Sequence, residues 1–331
     1  MPAAGTVEME SEFSLSIADV SFTVDSDVPV AGHDEEPYAP FTARAGREAA
    51  DDLPVTVRAI NADAPNLTED QKLFEGDRAW AMYRDESGRH VVGYTGRRRK
   101  RRRLWQARIS NDLDSMEIVY EQELVSSDNE KKMISNPLRR PLDEIAMTYV
   151  LARLEGLILD GIAAVVAGKG LILAGRTGSG KTRAARILGR YDDFRVLSDG
   201  RAVIRPSGLA ELKKTSAKGG DAEATKPEKW FNVFGTPWIG PTAVSRNESA
   251  PLHAVLFLAP GGPNRAIPLP LAAVEGFLNP LVNIPWQDPE IAPVVQDFCR
   301  RVTAAVPAYE LQFKPRRSFA KYLRNFAGTL R

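Results

Sequence analysis

A chain of 331 residues is long enough for one large domain or two ordinary ones, and 43% hydrophobic with 26% charged content is that of a soluble globular protein. The formal charge of +1 excludes a global electrostatic argument for nucleic acid or acidic membranes. One cysteine, Cys299, excludes an intramolecular disulfide. With no basic-then-apolar start in residues 1–24, it points to a reducing, cytoplasmic setting.

The first ten residues read as loose. Phe13–Ile17 and Val20–Val24 alternate apolar and polar residues, as half-buried strands do. Asp25–Asp52, rich in Pro, Ala, Gly and acids, reads as loop. Val55–Ile60 predicts another strand, and Ala79–Tyr83 and His90–Tyr94 flank Asp85-Glu86-Ser87-Gly88 as a hairpin. Leu104–Ile109 and Met116–Tyr120 continue the pattern. Residues 1–137 are therefore expected to form a largely antiparallel, β-rich module.

The second region, residues 138–331, opens with a helix from Pro141, because Leu142, Ile145, Ala146, Tyr149, Val150 and Leu154 share a face. Gly156–Gly175 is the most apolar stretch, but Asp160, Lys169 and its glycines make it a pair of core strands rather than a membrane span. Ile162–Val166 and Leu171–Ala174, joined through Gly168-Lys169-Gly170, read as a tight hairpin.

The next eight residues, Gly175-Arg176-Thr177-Gly178-Ser179-Gly180-Lys181-Thr182, fit the phosphate-loop pattern G-x-x-x-x-G-K-[ST] at every fixed position. Arg183–Leu188 continues as a helix. A strand, a glycine-rich turn and a helix N-terminus make an anion cradle, in which Lys181 reaches the β- and γ-phosphates of ATP and the Thr182 hydroxyl ligates Mg²⁺. Further on, Phe194–Asp199 predicts a strand ending in a carboxylate. Lys213–Lys229 reads as a charged loop, Ala254–Leu258 as a core strand, Pro289–Ala305 as a helix and Tyr309–Phe313 as a strand.

A hairpin feeding the loop is unusual among phosphate-loop proteins. Together with Val196-Leu197-Ser198-Asp199, Phe234-Gly235-Thr236-Pro237-Trp238-Ile239-Gly240, Ser249–Leu258 and Asn264-Arg265, it resembles the HPr kinase/phosphorylase-related kinases. The ATP-dependent phosphoenolpyruvate carboxykinases are more distantly similar. The resemblance covers Gly156 to about Phe313. It implies an α/β domain with a mixed sheet, and homo-oligomers. It also implies ATP- and Mg²⁺-dependent phosphorylation of a hydroxyl, such as a serine on a protein or small molecule. Asp199 matches the first of the family's paired aspartates, a metal ligand. The second, the base, is here Gly200. The histidine that precedes the hairpin in the family is here Asp160, the candidate replacement base. Arg265 is the candidate for neutralising charge on the phosphoryl group. The carboxykinases' substrate arginines find no secure match. Two further readings stay open, a nucleotide-gated binding protein with lost chemistry and an ATP hydrolase.

The run Arg97–Arg103 reads either as a solvated, charge-protected hairpin or as a dock for an acidic partner. Arg246 reads as a second candidate for neutralising the phosphoryl charge or as a surface ion pair, and Trp238 as lining an acceptor pocket or as core. His33, His90 and His253 show no metal-ligand spacing.

Overall fold

The computed structural model describes residues 10–32, 35–44, 51–58, 64–76, 79–95, 101–121, 126–128, 131–136, 138–207 and 231–330. All of the expected loose start but Glu10, which opens the first strand, lies outside them, as do His33, Arg97–Lys100 of the basic run and the charged stretch Lys213–Lys229. The chain divides into two units, Met1–Val150 and Leu151–Arg331.

The first unit is built on an 11-stranded mixed sheet. Its strands are β1 (Glu10–Ile17), β2 (Val20–Ala31), β3 (Thr42–Arg44), β4 (Asp51–Arg58), β5 (Lys72–Gly76), β6 (Trp80–Asp85), β7 (Gly88–Thr95), β8 (Arg102–Ile109), β9 (Met116–Tyr120), β10 (Ser126–Asp128) and β11 (Lys131–Ser135). The main order is β10-β11-β2-β4-β9-β8-β7-β6-β5, with β1 paired to β2 and β3. The loop expected over Asp25–Asp52 is only partly loop. Val24, Ser26, Val28 and Val30 are buried while Asp25 and Asp27 face solvent, so β2 runs on to Ala31 with acids on its wet side. The sheet is also less antiparallel than expected. β11–β2, β2–β4 and β4–β9 are parallel pairs. The long excursion through β5–β8 is what lets β9 return beside β4 in the same direction.

Helix α1 (Leu142–Arg153) contributes its first turns to this unit. The Tyr38 hydroxyl donates to Asp143 Oδ2 at 2.7 Å, and the Tyr149 hydroxyl reaches Met82 Sδ at 2.9 Å.

The second unit is mixed α/β. Its strands are β12 (Leu157–Val166), β13 (Lys169–Ala174), β14 (Phe194–Ser198), β15 (Arg201–Pro206), β16 (Phe231–Phe234), β17 (Ser249–Pro260), β18 (Arg265–Pro268) and β19 (Ala308–Phe313). Its helices are α2 (Lys181–Leu188), α3 (Leu271–Leu278), α4 (Ala292–Ala305) and α5 (Arg317–Ala327). β12 and β13 form the expected hairpin, turning at Ala167 and Gly168 with φ of 50° and 77°. β13 then lies parallel to β17, and β17 parallel to β19. β12 is long enough to serve twice. Leu157–Asp160 pair with β15, and the rest pairs with β13 and β14.

Ile162, Leu171, Leu173, Leu256, Leu258, Leu311 and Phe313 make one sheet face apolar, and Ala184, Leu188, Phe319 and Leu323 from α2 and α5 cover it. This packing fixes where α2 begins, and with it the loop that precedes it. Among the described residues no helix is long and apolar enough to cross a membrane.

Candidate functional site

The phosphate-loop sequence spans the end of β13 and the start of α2. Two glycines have the backbone such a loop needs. Gly178 and Gly180 have φ of +89° and +93°, a region that side chains disfavour. A Cβ on Gly180 would also come within 2.8 Å of Phe313 Cζ, whereas one on Gly178 would meet open space. Ser179 N–H donates to the Arg176 carbonyl, and Ala184 N–H to Gly180. Among the described residues nothing accepts from the amides of Gly178, Gly180, Lys181 or Thr182. The Ser179 hydroxyl oxygen is buried without a hydrogen-bond partner. Free amides at the positive end of a helix, with an unpartnered hydroxyl among them, form a cradle for an anion.

Lys181 folds back over this loop. Its ammonium donates to the Gly175 carbonyl and lies 3.2 Å from Asp160 Oδ1. Arg201 Nη1 approaches the same oxygen at 3.2 Å. Asp160 and Arg201 face each other directly in the β12–β15 register, so the pairing of the strands brings the two side chains to one place. Sequence reasoning singled out Lys181 and Asp160 but passed over Arg201. Its only signal was that it follows Gly200, and the register that joins it to Asp160 is not legible in the sequence.

Asp199 is only 3% exposed, and its carboxylate is fully engaged. Oδ1 accepts from the Gly240 and Val244 amides at 2.8 and 3.3 Å. Oδ2 accepts from the Thr242 amide and hydroxyl at 2.6 and 2.5 Å. A carboxylate has about four acceptor positions, and all are taken here. The expected metal ligand is thus holding the segment 240–244. Beside it, Gly200 has no room for a side chain. A Cβ would overlap the Trp238 carbonyl oxygen and lie 2.8 Å from the Gly240 nitrogen. Among the described residues no three His, Cys, Asp or Glu side chains group as a metal site. The cradle fits a nucleotide phosphate. A Mg²⁺ ion brought with it would be held by the Thr182 hydroxyl, phosphate oxygens and water, a common arrangement for this ion.

The remaining predicted residues are more dispersed. Arg265 is exposed at the start of β18, opposite Gln312 and next in register to Phe313, whose ring lies against Gly180. Arg246 is an exposed residue 3.9 Å from Glu248. Trp238 is fully buried, and His253 Nδ1 sits 2.8 Å from the Pro251 carbonyl within β17. On the other side of the loop a cleft of about 290 Å³ is lined by Gly175, Ser179, Phe257, Phe277, Leu281 and Glu310 among others.

No family model matches this chain, and no curated protein matches it.

Proposed function

We propose that the second unit is an ATP- and Mg²⁺-dependent phosphotransferase of the HPr kinase-like type, acting on a hydroxyl of a protein or small molecule. The observation that carries this reading is the cradle of open amides at Gly178–Thr182, overhung by Lys181. Phosphoryl transfer needs position and neutralised charge above all. On this reading Lys181 exchanges the Gly175 carbonyl and Asp160 for phosphate oxygens. Arg201, left on Asp160, adds a second cation beside the transferring group, a role the sequence had suggested for Arg265. Asp160 takes the proton of the attacking hydroxyl. Mg²⁺, when bound, offsets the charge of the phosphates. Asp199 acts through the segment it holds.

One observation favours a second reading. The two positions where the resemblance places paired aspartates offer no open carboxylate, since Asp199 is saturated and Gly200 is walled in. A protein that binds ATP without transferring phosphate has this arrangement.

Mg²⁺-ATP turnover separates the two, with cell extract as acceptor source. The variants are Lys181→Ala, Asp160→Asn and Arg201→Ala. The kinase reading expects labelled product that falls about 10²–10³-fold in Lys181→Ala, as for loss of one charge-stabilising donor. It expects a fall of about 10²–10⁴-fold in Asp160→Asn, as for loss of a base. Phosphate release independent of any acceptor identifies a hydrolase. ATP binding with neither transfer nor hydrolysis sinks the enzyme reading.

A further inference from the structure

We propose that the first unit carries a second, separate ligand site, a cleft over β6–β8 that takes a small organic acid: an oxyanion, carboxylate or phosphate, borne on an apolar ring. The cleft has a volume of about 440 Å³, and its lining includes Leu67, Tyr83, Tyr94, Arg103, Gln106 and Glu121.

The face of β6–β8 that bears Ala81, Tyr83 and Val92 is a small apolar cluster, in which polar side chains need partners. Here two of them are buried, His90 at 0% and Gln106 at 2% exposure. Burying such groups is costly unless each is bonded, and these are joined in one chain. Arg103 Nη1 donates to Gln106 Oε1 at 3.2 Å. Gln106 Nε2 lies 3.2 Å from His90 Nδ1, and His90 Nε2 lies 3.0 Å from Asp85 Oδ1. The carboxylate can only accept, so the partners assign the His90 proton to Nε2 and let Nδ1 accept from Gln106. The chain therefore runs in one direction, and it fixes the Gln106 amide with its oxygen toward Arg103. The Arg103 Nε donates to Glu121 Oε1 at 2.6 Å. With Nε and Nη1 both held, the guanidinium plane is set, and no described residue accepts from Nη2.

The rest of the lining matches an anion on a ring. The charged residues of the lining are Arg102, Arg103 and Glu121, with Arg103 bonded to Glu121. The Tyr83 and Tyr94 hydroxyls are 2.9 Å apart, so one bonds the other and one proton remains to donate outward. Burial, first, and the Tyr83 hydroxyl push the Tyr94 phenol upward in pKa. Leu67 and Tyr94 pack against Ala81, Tyr83 and Val92, giving the cleft an apolar floor. The open Nη2 amino group of a fixed guanidinium, beside a hydroxyl donor, offers charge-assisted hydrogen bonds to an oxyanion, and the floor receives a ring.

Calorimetric titration of the full chain tests this, with benzoate, phenyl phosphate, inorganic phosphate and benzyl alcohol as probes. Saturable binding of benzoate or phenyl phosphate is expected, and their relative affinity tells which oxyanion the site prefers. Arg103→Lys keeps the charge and loses the fork, and should weaken binding about tenfold with the melting temperature unchanged. Tyr83→Phe should weaken it about threefold, and it serves if Arg103→Lys does not fold. Lys181→Ala should leave benzoate affinity unchanged, which separates this site from the phosphate loop. The proposal is overturned by no saturable binding, by equal binding of benzyl alcohol, or by inorganic phosphate binding as tightly as phenyl phosphate. Affinity insensitive to both cleft variants, or lost in Lys181→Ala, also overturns it.

Discussion

Gly200 lies against the carbonyl of Trp238 so closely that the backbone of 238–240 fills the space a side chain would need. The segment Thr236–Gly240 lies against the end of β14, and Asp199 and the buried Trp238 hold it there. Placing at this position the carboxylate that the resemblance would put there, as Gly200→Asp, should therefore give no gain of function. The expected result is a loss of stability of about 3 kcal/mol, read by urea unfolding, with no rise in phosphate transfer. A stable, more active Gly200→Asp would show that the segment yields easily and that the position is still catalytic.

Much of this site was legible because its chemistry is local. The eight residues from Gly175 to Thr182 specify their own turn through glycine placement, and two apolar runs joined through Gly168-Lys169-Gly170 announce the hairpin that feeds them. What escaped depends on contacts between distant residues. Arg201 joins Asp160 only because β12 bends to pair with β15 along its first four residues. The four hydrogen bonds that Asp199 accepts come from donors 41 to 45 positions away. In the first unit, β2 was cut short because a strand with acids on its wet face and valines on its dry one resembles a loop by composition. Helix α5 went unread, although Phe319, Ala320, Leu323 and Ala327 share its buried face.

Substitution of Asp199 separates a clamp from a metal ligand. Asp199→Ala leaves the amides of Gly240, Thr242 and Val244 without their acceptor. Hydrogen bonds to a charged group contribute about 1.5–3 kcal/mol each, partly shared, so a total loss of about 3 kcal/mol is expected. Hydrogen exchange across 240–244 should rise, while the Mg²⁺ concentration for half-maximal nucleotide binding stays put. A shift in Mg²⁺ dependence with unchanged exchange would reassign Asp199 to the metal.

Cys299 should be chemically silent in the native protein. It is 1% exposed on α4, and burial, with a smaller contribution from Glu275, pushes its thiol up to about 12. The thiolate is the reactive form, and here both access and ionisation oppose it. At pH 8, reaction with a disulfide reagent should be negligible until urea unfolds the chain, and its rate should follow the unfolding curve. A raised thiol favours the fold below its unfolded pKa of about 8.5, and that contribution is lost as pH rises through 12. Fast labelling under native conditions would mean that α4 opens locally.

Asp85 gives the fold a dependence on acid. Its burial opposes ionisation, but hydrogen bonds from the Ser87 side chain, His90 and the Ser87 amide outweigh that and hold the carboxyl at about 2, against 3.8 for a free aspartate. A depressed acid stabilises the fold above its unfolded pKa, and the contribution disappears as pH falls through the folded one. The window is therefore pH 4 down to pH 2. The side chain is 20% exposed, so the contribution is discounted for solvent to about 1–2 kcal/mol. Asp85→Asn should be less stable than the parent by that amount at pH 7, and the gap should close as pH falls from 4 to 2. Because Asp85 ends the chain that sets Arg103, acid should also weaken benzoate binding beyond the loss due to protonating benzoate itself. Urea unfolding of both proteins at pH 7, 4 and 2.5 decides the first point. A gap that stays constant across that range would mean the Asp85 carboxylate contributes through shape alone.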